Sequence, residues 1–135
     1  MTFDDGTLIN GHRFKFLYSS IPAGWSYKVF MYVIQMSCQG RFSRPDFGPL
    51  GNLFKYGQVE TPDVPLEEYK LPTAIFVSSI DHIVHSEDTE WLIDHIQDAV
   101  VQTKSFDIPH SGFILAKDMG YVDHDLIPLL DEYGE

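Results

Sequence analysis

The chain has 135 residues, 44% of them apolar, and a formal net charge of −11 at neutral pH. This apolar content excludes wholesale disorder, and the acidic balance excludes nucleic acid as a partner, because a phosphate backbone would be repelled. No window approaches about 18 consecutive apolar residues, so no stable membrane insertion is expected.

Two features of the N-terminal half bear on compartment and redox state. The acidic segment 1–6 lacks a basic region followed by an apolar stretch, so no signal peptide is expected on this chain as it stands. Cys38 is the only cysteine, which rules out an intrachain disulfide.

Residues 1–68 are rich in aromatics, glycine and proline, and they predict one helix. It covers residues 26–36, with Ser26 as a possible N-cap. Its apolar side chains point nearly all round, so we expect the helix to be buried or to lie against an apolar partner. Residues 40–57 contain several glycines and prolines and are expected to form a loop. The aromatic side chains of this half form either a core or a cap over an apolar cavity.

Residues 69–135 alternate strand, helix, strand and helix. The apolar run 74–77 is typical of a parallel strand covered on both faces. Ser86 can cap a helix whose inward stripe is Leu92, Ile96, Ala99 and Val100. Residues 101–107 predict a second, more polar strand. A final helix is expected over residues 121–130, with Pro128 starting or kinking its last turn. This order predicts an α/β fold whose first strand needs a further neighbour upstream.

An acid and a histidine follow the two predicted strands. Asp81 comes after the first strand, and His110 comes 29 residues later, after the second. This is the back half of the Ser, Asp, His order of α/β-hydrolases, in which the acid orients the histidine and the histidine acts as general base. The alternatives are that Asp81 begins a turn and that His110 is a solvated loop residue.

Two further kinds of site are disfavoured. His82 and His85 lie near Asp81 and Glu87, but this spacing is a weak metal signal without a second ligand cluster, so no metal is expected. No Gly-x-Ser-x-Gly occurs in the chain, and no other serine has the strand–turn–helix context of a nucleophile. The candidates considered and set aside are Ser26, Ser37, Ser78, Ser79 and Ser111.

The ordered motifs of the chain resemble the acid lipase family, which includes gastric and lysosomal acid lipases. Asp81 falls at the family's Gly-x-x-Asp, and His110 at its His-Leu-Asp-Phe. The other matching positions are Pro22-Ala23-Gly24, Gln35, Gly40, Phe42, Asp46-Phe47-Gly48, Asn52, Tyr56, Pro62 and Leu71-Pro72.

The resemblance implies a domain assignment and an activity. Residues 1–68 would be part of the cap, and residues 69–135 would be the last two strands and helices of the α/β-hydrolase core. Family enzymes hydrolyse neutral lipid esters through an acyl-serine, use no cofactor or metal, and are secreted or lysosomal. The nucleophile would precede Met1, so this chain alone is expected to be inactive.

The chain departs from the family pattern close to both candidate residues. Ser78 and Ser79 replace glycines before the acid, Gly112 replaces the Asp after the histidine, and the loop before His110 is about two residues shorter. Elsewhere, the family's His-Trp is Tyr32-Val33, and its Tyr-Asp has become Pro45-Asp46. A non-catalytic lipid-binding or interaction protein derived from a hydrolase is the alternative function.

Overall fold

The computed structural model describes residues 6–21 and 23–134. Most of the acidic N-terminal segment, and Pro22 of the Pro-Ala-Gly motif, therefore lie outside the described residues. The chain divides into two compact units. We call residues 1–21 with 67–135 the sheet unit, and residues 22–66 the helical unit. Their assignment to a hydrolase core and a cap, with a boundary at residue 68, stays a prediction.

The sheet unit is built on two parallel strands joined by a helix. Strand β1, Thr73–Ser78, pairs with β2, Val100–Phe106, from Thr73 opposite Val100 to Ser78 opposite Phe106. Helix α4, Ser86–His95, and a 3₁₀ turn, Gln97–Ala99, connect them. Helices combined with a parallel sheet are compatible with part of an α/β fold, which confirms that class at this level.

The predicted helix after Ser86 is shorter than its apolar stripe. Helix α4 ends at His95, and His85 rather than Ser86 is its N-cap. Ile96 and Ala99 are buried as expected, but they lie in the turn that leads into β2. The apolar spacing therefore continues beyond the helix, because a tighter turn keeps both side chains on the inner side.

Aromatic rings fill one side of the sheet. Phe76 and Phe106, on neighbouring strands, contact each other and Tyr121 with ring centroids 5.5 to 6.1 Å apart. Phe113 closes the cluster against Phe106 and Tyr121. The edge-to-face geometry of most of these pairs suits the ring quadrupoles. The cluster fixes the position of the short helix α5, Gly112–Leu115, next to the end of β2.

Helix α1, Gly11–Tyr18, was missed by the sequence prediction. The Asn10 side chain caps it by accepting from the backbone N–H groups of His12 and Arg13. The preceding segment is held to the sheet unit, since the Asn10 N–H donates to the Leu115 carbonyl at 2.7 Å. No residue of α1 is buried, so its sequence carries no core stripe to detect.

The C-terminal end follows the predicted course. A π-helical segment, Val122–Leu126, leads into helix α6, Ile127–Tyr133. Pro128 lies in the first turn of α6, where its missing N–H costs little. The widened helical turn before it matches the expected kink.

Two helices form most of the helical unit. Helix α2, Tyr27–Gln39, begins after Ser26 as predicted. None of its residues is buried, and Val29, Phe30 and Met31 stay 43 to 46% exposed. The expectation of burial within this chain was therefore wrong, whereas contact with an apolar partner stays a prediction. Helix α3, Gly48–Tyr56, occupies the segment predicted to be a loop. Pro49 is tolerated in its first turn, and Gly57 ends it at a φ of 75°.

A polar network connects the two helices of the helical unit. Gln35 Nε2 donates to Ser43 Oγ at 3.1 Å and to the Arg44 carbonyl at 2.9 Å, and its Oε1 accepts from the Asp46 N–H at 2.8 Å. Ser43 is fully buried. Several residues of the lipase-like motifs therefore hold the segment between α2 and α3 in place.

Asn52 is the centre of this network, and its removal is expected to destabilise the helical unit. Its buried amide accepts from the Phe47 N–H and donates to Asp46 and to the Val59 carbonyl, all at 2.8 to 2.9 Å. Asn52→Ala leaves these groups unsatisfied, so we expect a loss of about 2–3 kcal/mol in chemical denaturation. Gln58→Ala, which removes one exposed local bond, is the control. Equal midpoints for both variants would contradict the prediction.

Across the part of the chain that the structure describes, no helix is long and apolar enough to cross a membrane.

Candidate functional site

Asp81 lies in the turn that follows β1, and backbone groups hold its carboxylate. Oδ1 accepts hydrogen bonds from the N–H groups of Ile83 at 2.7 Å and Val84 at 3.0 Å. These two hydrogen bonds form the local turn that the alternative interpretation of Asp81, as a residue that merely begins a turn, predicts. It fixes one carboxylate oxygen and leaves Oδ2 for a different partner.

His110 is that partner. Its Nδ1 lies 2.8 Å from Oδ2 of Asp81. The Asp81 side chain is only 10% exposed, and that of His110 is 41% exposed. Because an ionised carboxylate only accepts, Nδ1 carries the proton of this bond. The structure thus brings together the two residues that the sequence singled out, although it does not test their catalytic role.

The loop that carries His110 is anchored on both sides of the histidine. Pro109 is fully buried, and its carbonyl accepts from the N–H of buried Gly112 at 2.7 Å. The backbone therefore turns tightly around His110, while its ring remains accessible. Nδ1 faces the acid, which leaves Nε2 as the nitrogen that can exchange a proton with a third group.

The environment of Asp81 favours its ionised form. Burial raises the pKa of the Asp81 carboxyl, but the backbone hydrogen bonds from Ile83 and Val84 outweigh it, together with the hydrogen bond and charge of His110. The net effect lowers the pKa of Asp81 below its ordinary value. A carboxylate that stays charged can orient an imidazole and stabilise its protonated form.

This lowered pKa predicts a pH-dependent contribution of Asp81 to stability. A depressed folded pKa gives stability that is fully present above the unfolded pKa of about 3.9 and lost as pH falls through the folded pKa. We expect Asp81→Asn to unfold at lower temperature than wild type at pH 7, and the difference to shrink below about pH 4.

The control is Asp98→Asn, whose 76% exposed carboxylate pairs with Lys70 at the surface and should contribute little. Thermal unfolding followed by circular dichroism from pH 7 to pH 3 measures both variants. A constant gap between wild type and Asp81→Asn over that range would contradict the assignment.

A cleft of about 520 Å³ opens beside the pair. Asp81 and His110 lie on its wall together with Phe113, and Ile75 and Val77 of β1 form part of its apolar lining. A larger cleft of about 600 Å³, lined in part by Phe106, Tyr121 and His124, contains neither Asp81 nor His110. The smaller cleft is the candidate site, because it joins an acid–base pair to an apolar surface.

Among the other sequence candidates, the hydroxyls of Ser37, Ser78 and Ser79 donate to groups outside the pair. Over residues 6–21 and 23–134, no group of three or more His, Cys, Asp or Glu side chains could hold a metal ion. The hydroxyl of Ser78 donates to the Ile108 carbonyl, and that of Ser79 to the Asp107 carboxylate. The Ser37 hydroxyl donates to the Val33 carbonyl within α2. Sequence reasoning weighed these serines only as nucleophiles and missed that Ser78 and Ser79 connect the two strand ends.

Comparison with known proteins found lipases, while no family model matches the chain. The tear acid lipase-like protein of Mesocricetus auratus is 28% identical over 111 residues, covering 82% of this chain and 28% of the relative. Lipase lipl-1 of Caenorhabditis elegans is 28% identical over 109 residues, covering 78% of this chain and 27% of the relative. Lipase member K of Mus musculus is 25% identical over 126 residues, covering 92% of this chain and 32% of the relative.

The chain thus spans about three tenths of the length of these curated relatives. All three alignments extend over most of the chain, in agreement with the ordered motifs on both sides of residue 68. These similarities confirm the resemblance found in the sequence, and the chain is related to the lipase family.

Proposed function

We propose that this chain supplies the acid and the base of a lipase-type serine hydrolase. Asp81 is the orienting acid and His110 is the general base. The observation that carries the proposal is the 2.8 Å contact between His110 Nδ1 and Asp81 Oδ2, formed beyond the ends of two adjacent parallel strands. The relationship to lipases supports the same assignment.

The proposed chemistry is acyl transfer from an ester to a serine and then to water. Nε2 of His110 takes the proton of the serine hydroxyl as that oxygen attacks the ester carbonyl, and returns it to the departing alcohol. A water molecule then releases the acid by the same proton path. Asp81 keeps the ring in the required tautomer and stabilises the imidazolium without taking the proton. No metal or organic cofactor enters these steps.

The substrate class, the cap and the compartment belong to the same proposal. Neutral lipid esters, such as triacylglycerols and sterol esters, are the proposed substrates, and the apolar lining of the cleft suits an acyl chain. Residues 1–68 are proposed as part of the cap region of such an enzyme. A secreted or lysosomal location is proposed, in line with a relative named for tears.

The nucleophilic serine is proposed to lie on a segment that this chain does not contain, since no Gly-x-Ser-x-Gly occurs in its 135 residues. The isolated chain is therefore expected to be inactive as an esterase. A fluorophosphonate probe should leave it unlabelled at pH 5 and pH 7 while labelling an intact lipase. Labelling of one serine that disappears in His110→Ala would contradict this prediction.

The decisive experiment places the chain in a complete enzyme. The segment of the hamster tear acid lipase-like protein that matches this chain is replaced by the chain itself, and hydrolysis of a triacylglycerol is measured. Recovery of hydrolysis supports the proposal. A chimera that unfolds cooperatively, yet neither takes up a fluorophosphonate nor hydrolyses the ester, contradicts it.

Exposed apolar side chains favour a second candidate, a non-catalytic lipid-binding protein. In the helical unit, Trp25, Tyr27, Leu50 and Phe54 are 68 to 90% exposed, which is typical of surfaces that meet an apolar partner. Cooperative thermal unfolding of the purified monomer, together with saturable binding of a fluorescent fatty acid, would favour this function over the hydrolase.

A further inference from the structure

Two serines join the strand ends that carry the acid–base pair. Ser78 is the last residue of β1, three positions before Asp81. Its hydroxyl donates to the carbonyl of Ile108, two positions before His110. The same oxygen accepts from the N–H of Ile80 at 3.2 Å. One hydroxyl therefore contacts both the turn that presents Asp81 and the loop that presents His110.

Ser79 adds a second connection one residue later. Its N–H donates to the Phe106 carbonyl at 3.0 Å, which continues the strand pairing by one step. Its hydroxyl donates to the carboxylate of Asp107 and lies 3.2 Å from the Phe106 carbonyl. The first residues of the loop after β2 are thereby fixed against the end of β1.

These contacts lie where a small displacement has the largest effect on the pair. Only Asp107, Ile108 and Pro109 separate β2 from His110, so a shift of the Ile108 carbonyl carries directly to the ring. The hydrogen bond between Nδ1 and Oδ2 is 2.8 Å long, so a shift of the ring by a few tenths of an ångström away from Asp81 would weaken it.

The geometry points to Ser78 and Ser79 as positioning residues that hold His110 against Asp81. Both residues line the cleft beside the pair, and their proposed role is to fix the 107–109 loop to the end of β1, which a residue without a side-chain hydrogen-bond donor could not do. The inference rests on the proposed function only because that function makes Asp81 and His110 an acid–base pair. The position of the His110 ring can be measured without any hydrolysis of a substrate.

The tautomer of His110 measures this positioning. While Nδ1 donates to Asp81, the neutral ring carries its proton on Nδ1, whereas a free histidine favours Nε2. Long-range ¹H–¹⁵N correlation spectra of the whole chain at pH 8 report the ratio of the two forms. We expect Ser78→Ala to shift the ratio about fivefold toward the Nε2 form, a change equivalent to losing one hydrogen bond. The double alanine variant should shift it further.

Three comparisons make the test decisive. Ser78→Thr keeps a hydroxyl and should restore the wild-type ratio. Ser37→Ala removes a hydroxyl-to-carbonyl bond within α2 and should leave the ratio unchanged. If Ser78→Ala fails to unfold cooperatively, Ser79→Ala alone decides, because its side chain lies at the exposed end of the connection.

The possible failures are distinguishable. A wild-type ratio in both serine variants, with the Nδ1 form dominant in wild type, overturns the positioning role and leaves the pair intact. A wild-type chain whose His110 carries its proton mainly on Nε2 overturns the pair itself, and with it both proposals.

Discussion

Replacing His110 by alanine in the lipase chimera is expected to lower kcat/KM for ester hydrolysis by about a million-fold. The imidazole is proposed to move every proton in the reaction, and loss of one member of a catalytic triad typically leaves only the contribution of binding and the oxyanion hole. His110→Ala also removes the partner of Asp81 Oδ2, on a side chain that is only 10% exposed, so a modest fall in unfolding temperature is expected beside the loss of kcat. The loss of kcat should persist at temperatures where the variant is fully folded.

The matched control for this variant is His124→Ala. Nδ1 of His124 faces the Gly120 carbonyl at 2.8 Å, and His124 lines the larger cleft away from the pair. Rates are compared on one triacylglycerol emulsion at equal concentrations of chimera shown to be folded by circular dichroism. A His110→Ala chimera that retains more than about a tenth of its activity would exclude His110 as the base.

Gly112→Ala is expected to destabilise the sheet unit and to displace His110. A Cβ at position 112 would lie 2.9 Å from the Cβ of Ile108 and 2.9 Å from the Cδ of Pro109. Pro109 is fully buried, so the loop must shift to relieve the contact. Overpacking of this kind typically costs about 1–3 kcal/mol. The shift also reaches the intervening His110, where about 1 Å of misplacement can cost 100-fold in rate.

Gly11→Ala is the control, because a Cβ at that position meets no atom within 4 Å. Chemical denaturation gives the stability change, and kcat in the chimera gives the catalytic effect. Equal stability of the two variants would show that the loop accommodates a side chain at position 112.

The strand pairing could be predicted from the sequence. The apolar run before Asp81 and the strand before His110 lie side by side as expected, although β1 is not covered on both faces, since none of its residues is buried and Ala74 is exposed. The meeting of Asp81 and His110 follows from the same pairing. Helix α1 could not be predicted in this way, since no side chain in it is buried and its main signal is the single cap Asn10.

Segments rich in glycine and proline were harder to interpret. Residues 48–56 contain Gly48, Pro49 and Gly51, which are typical of turns, yet they form α3. The helix is favoured by Asn52 and Asp46, whose side chains satisfy backbone groups at its start. The Asp46 carboxylate accepts hydrogen bonds from the Asn52 side chain and from the Gly48 N–H. These bonds, that from Asn52 most strongly, lower the pKa of Asp46, although its slight burial acts in the opposite direction. Such local contacts of polar side chains leave no periodic pattern in a sequence.

The pairing of β1 has a consequence for the behaviour of the chain in solution. In the part of the chain that the structure describes, β2 is the only strand with which β1 pairs, so the opposite edge of an apolar strand can template self-association. The net charge of −11 opposes this by mutual repulsion between copies. High salt shortens the range of that repulsion to a few ångströms, and acidification toward the isoelectric point of about 4.7 removes it. At low ionic strength and neutral pH, the surface charge thus keeps copies of the chain apart. Near the isoelectric point this repulsion is lost, so a further strand or partner that covers the open edge of β1 is then most needed to prevent self-association.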